Sequence, residues 1–341
     1  MINQTAFESI LYGDDLTDYT AILQAQINSR AEVILGSGVY KFTNLTLPAG
    51  HRLRGLGDKT TLKQIGSGVG VTVNSNCALE AIRFQSAHPQ TTKAIRGENV
   101  KMVKFRDVAI DGLTVGIGQD YDECLMEFVS SGGNNSYGVA IENCHLQRSR
   151  GAGIKLIGGC AGFHVYGGRI QGNDGYGVYA AGVGAVELSL RDVIIEGNIQ
   201  GGAYVDNWFA SEVTSCHFEN SAGQTTPLLR CGIGGACASL RISNNSFGCV
   251  LADYAMDFSG AGANVGVSIV SNAVNGAKVA AIHAYKLWHS HILSNMFAGN
   301  HLALKDGSQC RNVLYQQYDE VQLFSTGVMP LPIWNVGAFV Q

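Results

Sequence analysis

A short frame recurs along the chain, in which two apolar residues are separated by four others. It begins at Leu79, Phe105, Ile141, Val165, Leu190, Val213, Ile242, Ile269, Ile292 and Val313. Successive frames start 21 to 29 residues apart, with one interval of 36. A unit of this size cannot bury an apolar face by itself and becomes stable by stacking on its neighbours. The repeat therefore predicts a solenoid.

The position two residues after the start of each frame has a polar or small character. From the first frame to the last it reads Ala, Asp, Asn, Gly, Asp, Ser, Asn, Ser, Ser and Tyr. Eight of these ten residues tolerate turn or left-handed backbone geometry. In the stretch SLRISNNSFG (239–248), Asn244 and Asn245 are accordingly predicted to form a bend between two strands of one coil.

A further strand is predicted roughly ten to fifteen residues before most frames, because apolar and polar residues alternate there. The segments are KAIRGE, CLMEFV, AGIKLI, YGVYAA, GGAYVD, PLLRCG, YAMDFS and AAIHAY. Each repeat then contains a strand, a turn, a second strand, a corner and a short third strand. This order predicts an all-β fold, a right-handed parallel β-helix of about ten coils. A propeller is disfavoured because its repeats run to about 40 residues or more and use tight antiparallel hairpins.

Composition agrees with a turn-rich β protein and excludes several partners. The chain of 341 residues has 44 Gly, 5 Pro and only 15% charged residues, with a net charge of −4. No basic stripe is present, so we expect neither nucleic-acid binding nor membrane insertion. The first residues lack the basic and apolar regions of a secretory signal, and we expect a soluble protein.

The nine cysteines are odd in number and include no CxxC spacing. Most occupy apolar positions, which predicts buried free thiols and no disulfide. Zinc ligation and a nucleophilic cysteine are the alternatives. The acidic segment QDYDE (119–123) lacks a regular calcium spacing and is interpreted as a solvent-exposed loop, so the sequence predicts no cofactor and no metal site.

A capping helix is predicted over 17–28. Thr17 is its expected N-cap, and Ile22, Leu23 and Ile27 are expected along one face. We expect three regions: an N-terminal cap (1–66) with this helix and the first strands, the β-helix (67–318), and a C-terminal cap or tail (319–341).

The segments GDDLTDYTAILQAQI and GVYKFTNLTLPAGHRLRGLGDKTTL resemble the opening of pectate-lyase-like right-handed parallel β-helix proteins, including bacteriophage tailspikes of the polysaccharide-depolymerase type. The resemblance covers about the first 65 residues. It implies a homotrimer in the virion tail, made in the bacterial cytoplasm, that binds and often cleaves a bacterial surface polysaccharide. The alternative is a protein secreted without a recognisable signal. It transfers no catalytic residues, and no NTDG-type motif is present. The exposed apolar residues of VMPLPIW (328–334) also favour a trimer.

Outward positions of the first strand are predicted to stack coil upon coil, about 4.8 Å apart. They are Arg96, Glu127, Lys155, Tyr179, Tyr204 with Asp206, Arg230, Asp257, and His283 with Tyr285. Tyr179, Tyr204, Tyr285 and Trp208 offer flat apolar faces with polar tips, which suit sugar rings. A long ladder of this kind favours a linear polysaccharide over a small molecule.

Glycoside hydrolysis requires two carboxyl groups. Asp206 and Asp257 are the expected acid and base, two coils or roughly 10 Å apart, with Arg230 between them and Glu127 as a further candidate. Glu196 and Glu219, one coil apart after the third strand, form a rival pair whose spacing suits retention. Either set of carboxylates, alternatively, only faces solvent.

Two other functions stay open. β-Elimination from a uronic acid polymer requires a cation and a base, which Lys155, Arg230, Tyr204 and His283 can supply. A non-catalytic adhesin or structural spike would hold the glycan without cutting it.

Overall fold

The computed structural model describes residues 11–112, 121–182, 185–220, 224–260, 262–298, 304–305, 310–311, 313–317 and 320–324. Nearly all described strand pairs are parallel, and they form three long sheets. The chain is a right-handed parallel β-solenoid of about 10 turns, as the repeat predicts.

Each sheet takes its strands from successive coils. The first sheet contains Leu45–Leu47, Gly68–Val73, Thr91–Glu98, Cys124–Val129, Ala152–Ile157, Tyr176–Ala181, Gly201–Val205, Leu229–Cys231, Tyr254–Phe258, Ala280–Ala284 and Leu304–Lys305. The second sheet contains Glu32–Ile34, Arg52–Arg54, Ala78–Glu80, Lys104–Arg106, Tyr137–Glu142, Ala161–Tyr166, Ala185–Val186, Ser189–Arg191, Trp208–Phe209, Glu212–Thr214, Cys237–Ala238, Arg241–Ser243, Asn264–Val265, Ser268–Val270, Leu287–Trp288, His291–Leu293, Val313–Gln317 and Glu320–Phe324. The third sheet contains Gly38–Phe42, Thr60–Gln64, Arg83–Ser86, Ala109–Asp111, His145–Gln147, Arg169–Gln171, Ile194–Glu196, His217–Glu219, Ser246–Gly248, Ala273–Asn275 and Met296–Ala298.

The corner between the second and third sheets falls at the predicted position in nine of the ten frames. There the backbone is left-handed, with φ between 51° and 63°, at Ala81, Asp107, Asn143, Gly167, Asp192, Ser215, Asn244, Ser271 and Ser294. The prediction of a corner in the tenth frame is wrong. Its Tyr315 lies inside the strand Val313–Gln317, which pairs antiparallel with Glu320–Phe324 instead of turning a corner.

The residue after the corner explains why asparagine interrupts the apolar pattern. Asn245 is buried, and its amide nitrogen donates to the Val213 carbonyl while its Oδ1 accepts from the Cys216 N–H. The same amide donates to Asn272 Oδ1, and Asn272 donates in turn to Asn295. Stacked amides therefore satisfy backbone groups that the sharp bend leaves without a ladder partner.

The core is one continuous apolar column along the solenoid axis. The first apolar residue of every frame is buried, and aromatic rings stack between coils, as Phe218 does on Phe247 at 5.0 Å. All nine cysteines are buried free thiols, which confirms that prediction. Burial raises the pKa of Cys144 to about 12, so this thiol stays protonated at neutral pH.

A helix, Thr20–Ser29, covers the N-terminal end of the column. The Gln24 side chain accepts from the Thr46 backbone N–H and donates to the Thr46 carbonyl, both at 2.9 Å. These bonds occupy the edge of the first sheet, which would otherwise offer unpaired backbone groups to another chain. A short 3₁₀ helix, Gly57–Lys59, follows.

Two details of the predicted helix are wrong. Thr17 lies outside the helix, bonded to the Asp14 side chain, and the Asp18 carboxylate accepts from the Thr20 N–H instead. Leu23 and Ile27 are buried as predicted, but Ile22, about 100° around the helix from Leu23, does not face the column and is 44% exposed. Within the described ranges, no helix has the length and apolar character needed to span a bilayer. Segment 328–334 lies outside the described residues.

Candidate functional site

The outward ladder of the first sheet has the predicted register. Arg96, Glu127, Lys155, Tyr179, Tyr204, Arg230, Asp257 and His283 occupy equivalent positions on consecutive strands. Parallel pairing without a register shift across these strands brings residues distant in the sequence onto one face. We call this row of eight residues the first-sheet face.

Tyrosines form the centre of the first-sheet face. The rings of Tyr179 and Tyr204 stack at 5.3 Å between centroids, and Tyr176 lies 5.8 Å from Tyr179 and 5.3 Å from Tyr204. Tyr179 and Tyr204 are half-buried, so part of each ring faces solvent. Sequence reasoning missed Tyr176, although its place at the start of the predicted strand YGVYAA is a usable signal. The cluster is an aromatic platform of the kind that holds sugar rings.

A charged cluster adjoins the platform on the next three coils. The Arg230 guanidinium lies 5.5 Å from the Tyr204 ring centroid and donates to Tyr176 Oη at 3.2 Å. Its Nε is 3.5 Å from Asp257 Oδ2, and the other oxygen, Oδ1, accepts from His283 Nδ1 at 3.1 Å. His283 also stacks on Tyr254, with 4.5 Å between ring centroids. One carboxylate thus joins a guanidinium and an imidazole.

Asp257 is ionised in this cluster. Burial acts to raise its pKa, but hydrogen bonds from His283 and from the Ser259 side chain and N–H outweigh burial and lower the pKa below its ordinary value. The bond to Nδ1 fixes the imidazole tautomer that carries a proton on Nδ1. Nε2 is then the ring nitrogen that can accept a proton from a substrate.

Asp206 lies in the turn after the strand Gly201–Val205. Its carboxylate accepts from the backbone N–H groups of Gly234 at 3.1 Å and Gly182 at 3.4 Å. Burial, followed by the hydrogen bond and charge of Asp206, raises the pKa of Tyr204, so its hydroxyl keeps its proton at neutral pH. Asp206 therefore holds the turn and contacts the edge of the aromatic platform.

Glu127 lies at the other end of the face and is only 4% exposed. Its carboxylate contacts Arg96 Nε at 3.3 Å, Lys93 Nζ at 3.7 Å and Lys155 Nζ at 3.8 Å. Lys93 also pairs with Glu123. This arrangement is a compact ion network, in which the half-buried Lys155 borders the tyrosine platform.

The structure does not place Trp208 on this face, and the prediction of an exposed platform residue is wrong. Trp208 is fully buried and donates from Nε1 to the Leu188 carbonyl at 3.1 Å. It begins the second-sheet strand Trp208–Phe209, where the inward and outward alternation restarts after a turn. Tyr285 follows the strand Ala280–Ala284, is half-buried and has Lys286 Nζ 5.3 Å from its ring centroid.

The rival carboxylates lie on the third sheet. Glu196 and Glu219 are register partners on adjacent coils and border a groove of about 700 Å³, which Gln147, Gln171 and Asn220 also line. His217 lies two residues before Glu219 and contacts it, with 3.2 Å between Nε2 and Oε2. Carboxylate and imidazole atoms of Glu196, His217 and Glu219 lie within 4.8 Å of one another. His217 was missed, although strand alternation in HFE puts it on the same face as Glu219.

The sequence matches the family model described as the right-handed β-helix region over residues 128–297. A comparison with curated proteins gives no match. Family match and architecture agree, and the chain is a right-handed parallel β-helix protein.

Solved structures of the same fold come from a bacterium and from viruses. One is PfbA, a surface adhesin of Streptococcus pneumoniae, with a TM-score of 0.57 and 12% identity over 92% of this chain and 94% of that chain. The tailspike protein gp49 of Acinetobacter baumannii bacteriophage Fri1, a capsular polysaccharide depolymerase, has a TM-score of 0.51 and 11% identity over 86% of this chain. ORF18 of Geobacillus virus E2 has a TM-score of 0.52 and 13% identity over 91% of this chain. This chain spans 61% of the length of each viral protein, and at these identities the likeness concerns the fold.

Proposed function

We propose that this chain binds and degrades a polysaccharide of the bacterial surface, as a phage tailspike of the virion tail, with the glycan lying along the first-sheet face. The observation that carries the proposal is the unbroken sequence of tyrosine platform, Arg230, Asp257 and His283 on consecutive coils. Such a row offers stacking surfaces and hydrogen-bonding groups along one line, as a linear polymer requires. The fold shared with a capsular polysaccharide depolymerase supports the same function.

The chemistry that this geometry supports best is β-elimination from a uronic acid residue. His283 Nε2 takes the proton on the carbon next to the substrate carboxylate, whose charge Arg230 offsets, while Lys155, five coils away, can contact only another sugar of the polymer. The carbon–oxygen bond to the leaving sugar breaks as a carbon–carbon double bond forms. The imidazolium formed at His283 returns this proton to the leaving oxygen, which completes the elimination without another acid.

Asp257 acts in this reaction as a positioning residue. It fixes the His283 tautomer and stabilises the imidazolium after proton uptake, as carboxylates beside catalytic histidines do. A role as general acid would require a protonated carboxyl group, and its lowered pKa opposes that. Asp206 accepts hydrogen bonds from two backbone N–H groups and has a structural role in the turn.

Hydrolysis is the second candidate reaction, and one observation favours it. Glu196 and Glu219 face one groove, with oxygen atoms within 4.8 Å, close to the spacing of about 5–5.5 Å between carboxyl groups in retaining glycosidases. A non-catalytic adhesin is the remaining alternative, since PfbA shares the fold.

A panel of acidic and neutral capsular polysaccharides tests the proposal. Reducing-end release measures cleavage by either reaction, and ultraviolet absorbance of an unsaturated uronate product identifies elimination. We expect His283→Ala to lower turnover about 10²- to 10⁴-fold while glycan binding persists. His291→Ala, an exposed histidine on the second-sheet strand His291–Leu293, is the matched control and keeps full activity.

The other outcomes distinguish the alternatives. If cleavage gives no unsaturated product and is abolished by Glu196→Gln or Glu219→Gln, the reaction is hydrolysis and its site is the third-sheet groove. A wild type that binds a glycan but cleaves none of the panel would favour the adhesin. Absence of any glycan binding would contradict the proposal as a whole.

A further inference from the structure

We propose that Glu196, His217 and Glu219 form a binding site for a divalent transition-metal ion at the edge of the third-sheet groove. The site lies on a different sheet from the first-sheet face and uses none of its residues. Its donor set, one imidazole and two carboxylates, is one that zinc and similar ions take in proteins.

The fold itself brings these three side chains together. Ile194 pairs with His217 and Glu196 pairs with Glu219 in the parallel ladder, so the two strands are in register. Alternation directs His217 and Glu219 to the same side, away from the buried Phe218 between them. A ligand set supplied by neighbouring rigid strands needs little reorganisation of the backbone on binding.

The distances suit a metal ion. With bonds of about 2.0–2.1 Å, two ligand atoms in a tetrahedral zinc site lie about 3.3 Å apart. His217 Nε2 and Glu219 Oε2 are separated by 3.2 Å. Glu196 belongs to the same group within 4.8 Å, and rotation of its half-buried side chain can close the remaining gap.

The charges around the cluster leave part of the negative charge open to a cation. Arg169 Nη1 lies 3.6 Å from Glu196 Oε1, and Arg148, which also lines the groove, is paired with Asp111. Among the described residues, the only ion pair of Glu219 is the one with His217. An ion seated between the two carboxylates would offset their mutual repulsion.

Asn220 gives an independent indication of a polar ligand in the groove. It lines the groove directly after Glu219, and both polar atoms of its side chain are buried with no hydrogen-bond partner among the described residues. Buried polar groups are nearly always paired, and an unpaired amide is often completed by water or an ion. A water bound to the metal ion would supply that partner, and the ion would keep coordination positions that are open to the groove.

The chain contains a matched control for this site. His145 occupies the position of His217 three coils earlier in the same ladder, and the equivalents of Glu219 and Glu196 there are Gln147 and Asp111. The two stretches share strand position, but in the earlier one Gln147 replaces a carboxylate, and Asp111 is buried and paired with Arg83 and Arg148.

Calorimetric titration of the tag-free chain with Zn²⁺, supported by the absorption spectrum of bound Co²⁺, tests the proposal. We expect one saturable site per chain, weakened more than about tenfold by His217→Ala, Glu196→Gln or Glu219→Gln and unchanged by His145→Ala. Thermal melting without metal confirms that each variant is folded.

Three results would overturn the site. They are the absence of saturable binding at about 1 mM metal, an equal loss of affinity in His145→Ala, and glycan hydrolysis lost in both glutamine variants of a chain that binds no metal. The last result would identify a hydrolytic carboxylate pair. Failure of glycan binding at the first-sheet face leaves the zinc titration unaffected, so the two proposals fail separately.

Discussion

At the scale of single residues, buried polar side chains form hydrogen bonds with backbone groups that apolar side chains would leave unpaired. Asn245 holds two backbone groups, the Val213 carbonyl and the Cys216 N–H, and also joins the amide of Asn272. Removing its amide leaves these buried groups unpaired, which costs about 1–3 kcal/mol for each group.

Asn245→Ala is therefore expected to lower the thermal melting temperature clearly, as followed by circular dichroism. Asn244→Gly is the control, because the left-handed backbone at Asn244 (φ 58°) accepts glycine without strain. Equal melting temperatures for wild type and Asn245→Ala would show that the amide stack contributes nothing to stability.

The lowered pKa of Asp257 predicts that the stability of the fold depends on pH. Its pKa is lowered in the folded chain by the net effect of His283 and Ser259 against burial, with Arg230 also facing the carboxylate. A group of this kind contributes stability above its unfolded pKa, and the contribution is lost as pH falls through the folded pKa.

The difference in melting temperature between wild type and Asp257→Asn should be largest near neutral pH and should shrink below about pH 4. Asp58→Asn, at an exposed carboxyl group, is the comparison and should show no such trend. A difference that grows as the pH falls would contradict the ionised state assigned to Asp257.

At the scale of the elements, each coil depends on a left-handed corner. Glycine fits this backbone without penalty, whereas an alanine there costs roughly 1 kcal/mol. Ala81, with φ of 52°, is the one corner residue that is neither glycine nor a polar turn former.

Ala81→Gly should raise the melting temperature, because it relieves strain at the corner. Ala78→Gly, three residues earlier in the strand Ala78–Glu80, should lower it, since glycine weakens a strand interior by about 0.5–1 kcal/mol. If both substitutions shift stability in the same direction, the corner is not strained.

The elements also show which features the sequence could predict. The corners and the first-sheet ladder were predictable because a coil repeats one backbone path, so each position recurs with the same geometry. Trp208 was mispredicted because the turn at Asp206 and Asn207 interrupts the alternation of inward and outward side chains. The repeat pattern does not show whether the first residue after this turn points into the core or toward solvent. The contact between His217 and Glu219 depends on rotamers as well as register, and a repeat pattern fixes only register.

At the scale of the whole molecule, the second sheet carries an apolar row on its outer side. Val186, Phe209, Ala238, Val265 and Trp288 are register partners across five coils. Val186 is 39% exposed and Val265 is 36% exposed. Rows of exposed apolar side chains on a soluble protein usually mark a contact surface.

We predict that the chain forms a homotrimer, as the tailspike resemblance implies, and that this second-sheet row lies in the contact between copies. Light scattering after size exclusion should give three times the chain mass for the wild type. Val265→Glu should shift the mass toward the monomer, because a buried unpaired carboxylate in each contact strongly disfavours association. Ile199→Glu places the same charge on an apolar residue that is 54% exposed after a third-sheet strand, and it should remain trimeric. A monomeric wild type would contradict the trimer, whereas a trimer that persists in Val265→Glu would move the contact to another face, because a row buried between copies cannot accept three new charges without loss of affinity.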